Sequence, residues 1–122
     1  MKKYKKYIGL ESDFQTSCAI YLDSLDVLWF HCPNEIKAKP QYLAKRRRQG
    51  VKSGVPDICI LEPNKLYKGL FIELKVGYNK ASDNQNKWLF ELQKRGFKTF
   101  ITYSFDEFID IVDDYFKKDI EK

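Results

Sequence analysis

Residues 54–61 read Gly-Val-Pro-Asp-Ile-Cys-Ile-Leu, and residues 70–76 read Leu-Phe-Ile-Glu-Leu-Lys-Val. Gly54 and Pro56 prepare a tight entry into a strand over 57–61. Pro63-Asn64 supplies turn chemistry, and Gly69 precedes a second strand over 70–76. Two strands with so short a connection predict an antiparallel β-hairpin. Side chains alternate faces along a strand, so Glu73 and Lys75 point one way while Ile72, Leu74 and Val76 point the other. A charged pair inside an otherwise buried strand is costly unless it has a partner or a task. Asp57, at the head of the first strand, is the third charge of the stretch.

Upstream, Phe14, Cys18, Tyr21, Leu22 and Leu25 recur at helical spacing and predict a helix from about Leu10 to Ser24. Glu11 lies at the head of its buried face, and Gln15 flanks that face one turn on. With Ser12 as N-cap, Gln15 would also satisfy capping-box spacing. Residues 27–32 (VLWFHC) read as a strand that Pro33-Asn34 ends. Residues 35–53 are polar and basic. Within them Pro40 opens a short helix through Arg48, closed by Gly50, and no deep burial is expected there.

Downstream, residues 77–81 form a loop. Ser82 and Gln85 have capping-box spacing at the head of a helix whose apolar face is Trp88, Leu89 and Leu92, with Trp88 read as core. Gly96 ends that helix, and residues 97–103 form a strand. Ser104 and Glu107 cap a last helix with Phe105, Phe108, Ile109, Val112 and Phe116 on one face, fraying after Lys117. The order α, β, basic excursion, β, β, α, β, α predicts an α/β fold with a small mixed sheet flanked by helices. A loose basic arm over residues 1–9 would precede a single domain over 10–118.

A chain of 122 residues with 43% hydrophobic and 16% aromatic residues holds one real core, which excludes a disordered tail. The net charge of +5 is modest, but its distribution is uneven. Lys37, Lys39, Lys45, Arg46, Arg47, Arg48 and Lys52 crowd one segment, and Lys2, Lys3, Lys5 and Lys6 crowd the N-terminus. Such patches suit a polyanion, most simply nucleic acid; a merely solvated surface is the other reading, and for the N-terminal lysines both stay open. The three cysteines, Cys18, Cys32 and Cys59, are odd in number and have no CxxC spacing. That argues against a disulfide framework or zinc site and leaves them as small core residues. No apolar run is long enough for a membrane span, and the basic N-terminus lacks a signal peptide's apolar core. A reducing cytoplasm is the expected compartment. His31, the single histidine, lies in an apolar strand and reads as structural, which argues against a histidine-dependent nuclease or triad hydrolase. No glycine-rich phosphate loop is present, so ATP use is not indicated.

Hydrolysis of a phosphodiester needs charge neutralised on the non-bridging oxygens, a water activated and the leaving oxygen stabilised. A divalent metal held by hard carboxylate oxygens supplies all three. A hairpin could bring Asp57 and Glu73 side by side on one ion, with Lys75 on the same face to address the attacking water or the scissile phosphate. By spacing alone, an ordinary salt bridge among these residues fits equally well.

The pattern Pro56-Asp57 … Glu73-Leu74-Lys75 resembles the PD-(D/E)XK nuclease signature. More narrowly, the chain resembles a stand-alone VRR-NUC domain of the small viral and bacterial type. The added features are Glu11-x-x-x-Gln15, Pro33-Asn34-Glu35, Gly50-x-x-x-Gly54-x-Pro56-Asp57 and Ser82-x-x-Gln85-x-x-Trp88. The resemblance runs from about Glu11 to Tyr115 and implies a restriction-endonuclease-like α/β core. It implies an enzyme that cuts structured DNA with Mg2+ or Mn2+, in a bacterial or phage-infected cell. Small members of this kind resemble Holliday-junction resolvases that act as homodimers; larger relatives carry the domain in flap-cutting nucleases. A nuclease for flaps, ends or plain duplex and a catalytically silent DNA-binding module are the alternatives. Residue by residue, the resemblance implies Asp57, Glu73 and Glu11 as metal ligands, with the Leu74 carbonyl as a further one. It implies Lys75 as the catalytic lysine and Gln85 as a glutamine lining the site, although a capping box alone would also account for Gln85. Asn34 would contact DNA or cap a turn, and the segment from Lys37 to Lys52 would contact phosphates.

Overall fold

The computed structural model describes residues 3–33 and 39–120, with side chains through Lys117. In chain order the elements are α1 (Glu11–Ser24), β1 (Trp29–His31), α2 (Pro40–Arg48), β2 (Ile58–Ile60), β3 (Leu70–Leu74), α3 (Asp83–Lys94), β4 (Lys98–Thr102) and α4 (Phe105–Ile120). The four strands form one mixed sheet in the order β1-β2-β3-β4. The predicted hairpin is present: β2 and β3 are antiparallel, with Ile58 opposite Ile72 and Ile60 opposite Leu70. β1 joins β2 antiparallel, whereas β4 lies parallel to β3 because α3 carries the chain back across the sheet.

Alternation along β3 separates two environments. Leu70, Ile72 and Leu74 are fully buried with Ile58 and Ile60 against Phe14, Cys18 and Leu22 of α1 and Phe108, Val112 and Tyr115 of α4. This is the main core, one face of the sheet under two helices that also pack on each other. Phe71 and Glu73 point to the other face, which α3 covers. There Gln93 Nε2 of α3 donates to Thr99 Oγ1 of β4, on the row of Phe71.

The strands are shorter than the sequence suggests, and the ends have identifiable partners. Cys32 N–H donates to the Asp57 carbonyl and Leu61 N–H to the Leu28 carbonyl, so β1–β2 pairing runs past both named ends. At the end of β3, the Leu74 N–H is taken by the Asp57 side chain and the Lys75 N–H by the Thr102 carbonyl. α4 extends to Ile120, beyond the expected fraying point. α2 has the expected bounds and no buried residue.

The N-terminal segment is not a loose arm where it is described. Tyr7 N–H donates to the Tyr103 carbonyl at 2.7 Å, the Tyr7 ring stacks on Phe14 at 4.7 Å, and Tyr4 Oη donates to Asp110. Cys18 and Cys59 are buried and Cys32 half-buried, all as free thiols. Among the described residues, no helix is long and apolar enough to cross a membrane.

Candidate active site

The hairpin register decides which charges meet. Because Ile58 faces Ile72, the residues just beyond them, Asp57 and Glu73, stand opposite each other on adjacent strands. Both are buried, at 5% and 1% exposure, and Lys75 is 9% exposed. Asp57 Oδ2 accepts the Leu74 N–H at 2.8 Å. Its backbone carbonyl accepts from His31 Nδ1 at 2.8 Å and from Cys32 N–H at 2.9 Å. Glu73 Oε2 accepts from Gln85 Nε2 at 2.8 Å and lies 3.3 Å from Lys75 Nζ. Glu73 Oε1 is buried and has no hydrogen-bond partner among the described residues.

Gln85 serves two readings at once. Its Oε1 accepts the Ser82 N–H at 2.8 Å while Ser82 Oγ accepts the Gln85 N–H, which completes the capping box of α3. With the amide oxygen held on that backbone N–H, the amide nitrogen must face away from the cap, and there it meets Glu73. The cap therefore orients the amide donor that α3 presents to the carboxylate, and a capping residue becomes a wall of the site.

Burial and mutual repulsion govern the electrostatics. The Glu73 carboxyl is pushed up to about 8, first by burial and then by the charge of Asp57, with Lys75 opposing and Glu11 adding to the rise. Burial also raises Asp57, against the pull of the Leu74 N–H, His31 and Lys75. The two carboxyls thus lie in each other's field, which disfavours charge on both at once. Two hard-oxygen groups that cannot both be charged without help, one with an oxygen that has no partner among the described residues, fit a divalent cation.

Glu11 reaches this region from the head of α1, the helix on the opposite face of the sheet. Burial and then the charge of Asp57 raise its carboxyl, while Lys75 and His31 lower it. The structure therefore brings Glu11 into the field of the buried pair. It does not assemble a ready three-ligand cluster: among the described residues, no group of three His, Cys, Asp or Glu is placed to hold a metal. The Glu11 side chain is exposed and so has rotamer freedom that the buried pair lacks. Ser12 is not the cap of α1. Leu10 occupies that position, Ser12 lies inside the helix, and Gln15 Oε1 is a second buried oxygen with no partner among the described residues. The Leu74 peptide borders the site through its N–H.

Of the basic segment, Asn34 and Lys37 lie outside the described residues. Lys39 precedes α2, and Lys45, Arg47, Arg48 and Lys52 are exposed, with Arg46 half-buried. Arg46, Arg47 and Lys52 border a cavity of about 580 Å3 together with Cys32, Val55 and Trp88. Trp88 is consequently half-buried, not core: α2 buries none of its residues and leaves the indole facing this space. His31 has the structural role expected of it, but its partner is not visible in the sequence. It braces the backbone of Asp57 from the neighbouring strand, a contact that only the β1–β2 register reveals.

A model of the VRR-NUC domain family matches residues 21–106. A solved structure titled "VRR_NUC domain protein" superposes with a TM-score of 0.77 at 27% identity, over 92% of this chain and 93% of that one. A second, titled "VRR_NUC domain", gives 0.59 at 21% identity over 86% and 96%, a likeness of fold. Comparison with curated proteins finds no match. The chain belongs to the VRR-NUC domain family, within the PD-(D/E)XK nuclease superfamily.

Proposed function

We propose that this VRR-NUC chain is a Mg2+- or Mn2+-dependent endonuclease that hydrolyses phosphodiesters in branched DNA. The observation that carries the reading is the buried Asp57–Glu73 pair, with a Glu73 Oε1 that has no hydrogen-bond partner among the described residues and with Lys75 on the same face. Asp57, Glu73 and the Leu74 carbonyl would hold the cation, with Glu11 joining from α1. The cation supplies Lewis acidity and charge neutralisation at the phosphate. Gln85 and Lys75 both engage Glu73 Oε2, which leaves Oε1 as the available donor. The Lys75 ammonium orients the attacking water and offsets charge that develops on the phosphate. His31 and Cys32 hold the Asp57 backbone, so the carboxylate is presented without reorganisation. A four-way junction needs paired cuts, which two symmetric sites in a homodimer would deliver. The basic residues around α2 would neutralise phosphates, which makes binding strongly salt-dependent.

One assay tests this reading. Four-way, flapped, nicked and linear DNA are offered under one condition with Mg2+ or Mn2+, to the natural protein and to Asp57→Asn, Glu73→Gln and Lys75→Ala. The expected result is symmetric paired incision of the four-way substrate by the natural protein only, with Asp57→Asn still binding it. Cleavage by any of the three variants at the natural rate overturns the site. Incision confined to flaps or ends reassigns the substrate. If no DNA is cut and neither metal changes thermal stability, the chain is a binding module.

A further inference from the structure

A concavity of about 460 Å3 lies between residues 6–9 and residues 76–79. Each segment runs directly into the candidate site. Gly9 stands two residues before Glu11, and Val76 follows Lys75. The two segments are tied together at this point. Tyr7 N–H donates to the Tyr103 carbonyl, Tyr103 Oη donates to the Asn79 carbonyl at 2.6 Å, and Asn79 N–H closes a turn on the Val76 carbonyl. The turn projects Tyr78 into solvent at 94% exposure. Lys6 Nζ sits 4.8 Å from the centre of the Tyr78 ring and 5.6 Å from that of Tyr103. Tyr78 therefore carries a cation against its ring while nearly all of the side chain stays bare. Ile8, on the same concavity, is 89% exposed, and Leu10 beside it is 68% exposed. Scattered apolar residues on a surface are ordinary, but an aromatic and two aliphatics exposed together beside a buried acidic site are not.

We propose that Tyr78, with Lys6 against its ring, is a stacking platform for an unpaired nucleobase of the DNA next to the scissile phosphate. This rests on the reading of the chain as a DNA nuclease and deepens it. The charge identifies the occupant: Lys3, Lys5, Lys6 and Lys80 are exposed on these same segments, so the flat ring is set in a cationic surface that suits a polyanion. A base offers its face to a protein ring only when it is out of the duplex stack, so the platform selects DNA with unpaired bases over continuous duplex. Every base has a π-face, so the selection is for structure and not for sequence. It gives the N-terminal segment a task in choosing the substrate.

The test is binding in the presence of a chelator, so that no cleavage occurs. The probe is 2-aminopurine, placed once in a short single-stranded gap and once at the same position in continuous duplex. The natural protein should bind the gapped DNA more tightly and change the probe's emission only there. Tyr78→Ala should lower the ratio of gapped to duplex affinity by roughly 5- to 100-fold, whereas Tyr78→Phe, which keeps the ring, should preserve it. The side chain is exposed, so neither substitution threatens folding. An unchanged ratio in Tyr78→Ala, or an equal loss in Tyr78→Phe, overturns the proposal. So does a natural protein that binds both DNAs equally. A natural protein with the expected preference that cuts nothing with Mg2+ or Mn2+ supports the platform and overturns the nuclease reading instead.

Discussion

Substitution of Gly54 by alanine probes how the two halves of the site are held together. Gly54 has φ +87°, and a Cβ built on it would lie 2.7 Å from the Asn84 carbonyl carbon, 2.8 Å from its oxygen and 2.9 Å from its Cβ. Asn84 belongs to the first turn of α3, immediately before Gln85, and its Nδ2 already donates to Ser53 Oγ. Ordinary contact needs about 3.4 Å, so the two backbones must part by roughly 0.7 Å. A shift of that size taken up by α3 would stretch the 2.8 Å Gln85–Glu73 bond to about 3.5 Å, outside hydrogen-bonding range. Gly50 is the control: its φ is +103°, but nothing lies within 4 Å of its would-be Cβ. Gly50→Ala should therefore cost only the backbone penalty, about 1–2 kcal/mol, and Gly54→Ala that penalty plus overpacking, about 2–5 kcal/mol in all. Urea unfolding, with slopes compared to confirm a two-state transition, measures both. DNA cleavage with Mg2+ should fall in Gly54→Ala and hold in Gly50→Ala. Equal destabilisation of the two variants, within about 0.5 kcal/mol, would refute the claim that close approach to α3 constrains residue 54.

Two further outcomes follow from the same geometry. The Glu73 carboxyl rises to about 8 in the fold from an ordinary value near 4.5, so its contribution is fully favourable below about 4.5 and is lost as the pH climbs toward 8. Metal-free protein should thus lose stability across that window, by on the order of a few kcal/mol, and Glu73→Gln should flatten the profile and be the more stable at pH 8 while being inactive; urea unfolding in chelator at a series of pH values checks this. Ser82→Ala removes only the cap acceptor and should cost about 1 kcal/mol with cleavage retained, whereas Gln85→Ala should lose similar stability and most of the activity. Equal activity losses in the two would mean that Gln85 acts only through the cap.

The parts of this protein that the sequence determines are those with local causes. The alternation of 70–76 puts Glu73 and Lys75 on one face, the capping spacing at Ser82 starts α3, and Pro40 and Gly50 bound α2. Each follows from steric or hydrogen-bonding rules that act within a few residues. Where a local signal is ambiguous, tertiary contacts choose. Ser12 and Gln15 have capping spacing, yet the N-cap of α1 falls two residues earlier, at Leu10, whose carbonyl accepts from Asp13 and Phe14. Trp88 lies on the apolar stripe of α3, yet α2 packs too shallowly to bury it. The N-terminal lysines look like a solvated tail, yet Tyr4 and Tyr7 anchor their segment.

The site itself divides the same way. Residue types and spacing identify Asp57, Glu73 and Lys75 as a set, but by spacing they remain compatible with a salt bridge. Only the β2–β3 register, with β1 alongside, sets Asp57 opposite Glu73 and places His31 under its backbone. Only the docking of α3 turns a capping glutamine into a donor for a buried carboxylate, and only the approach of α1 brings Glu11 into its field. The physical reason is separation along the chain. Side-chain direction and capping are decided over a few residues, whereas positions 11, 31, 57, 73 and 85 are brought near one another by burial of a core that none of them belongs to.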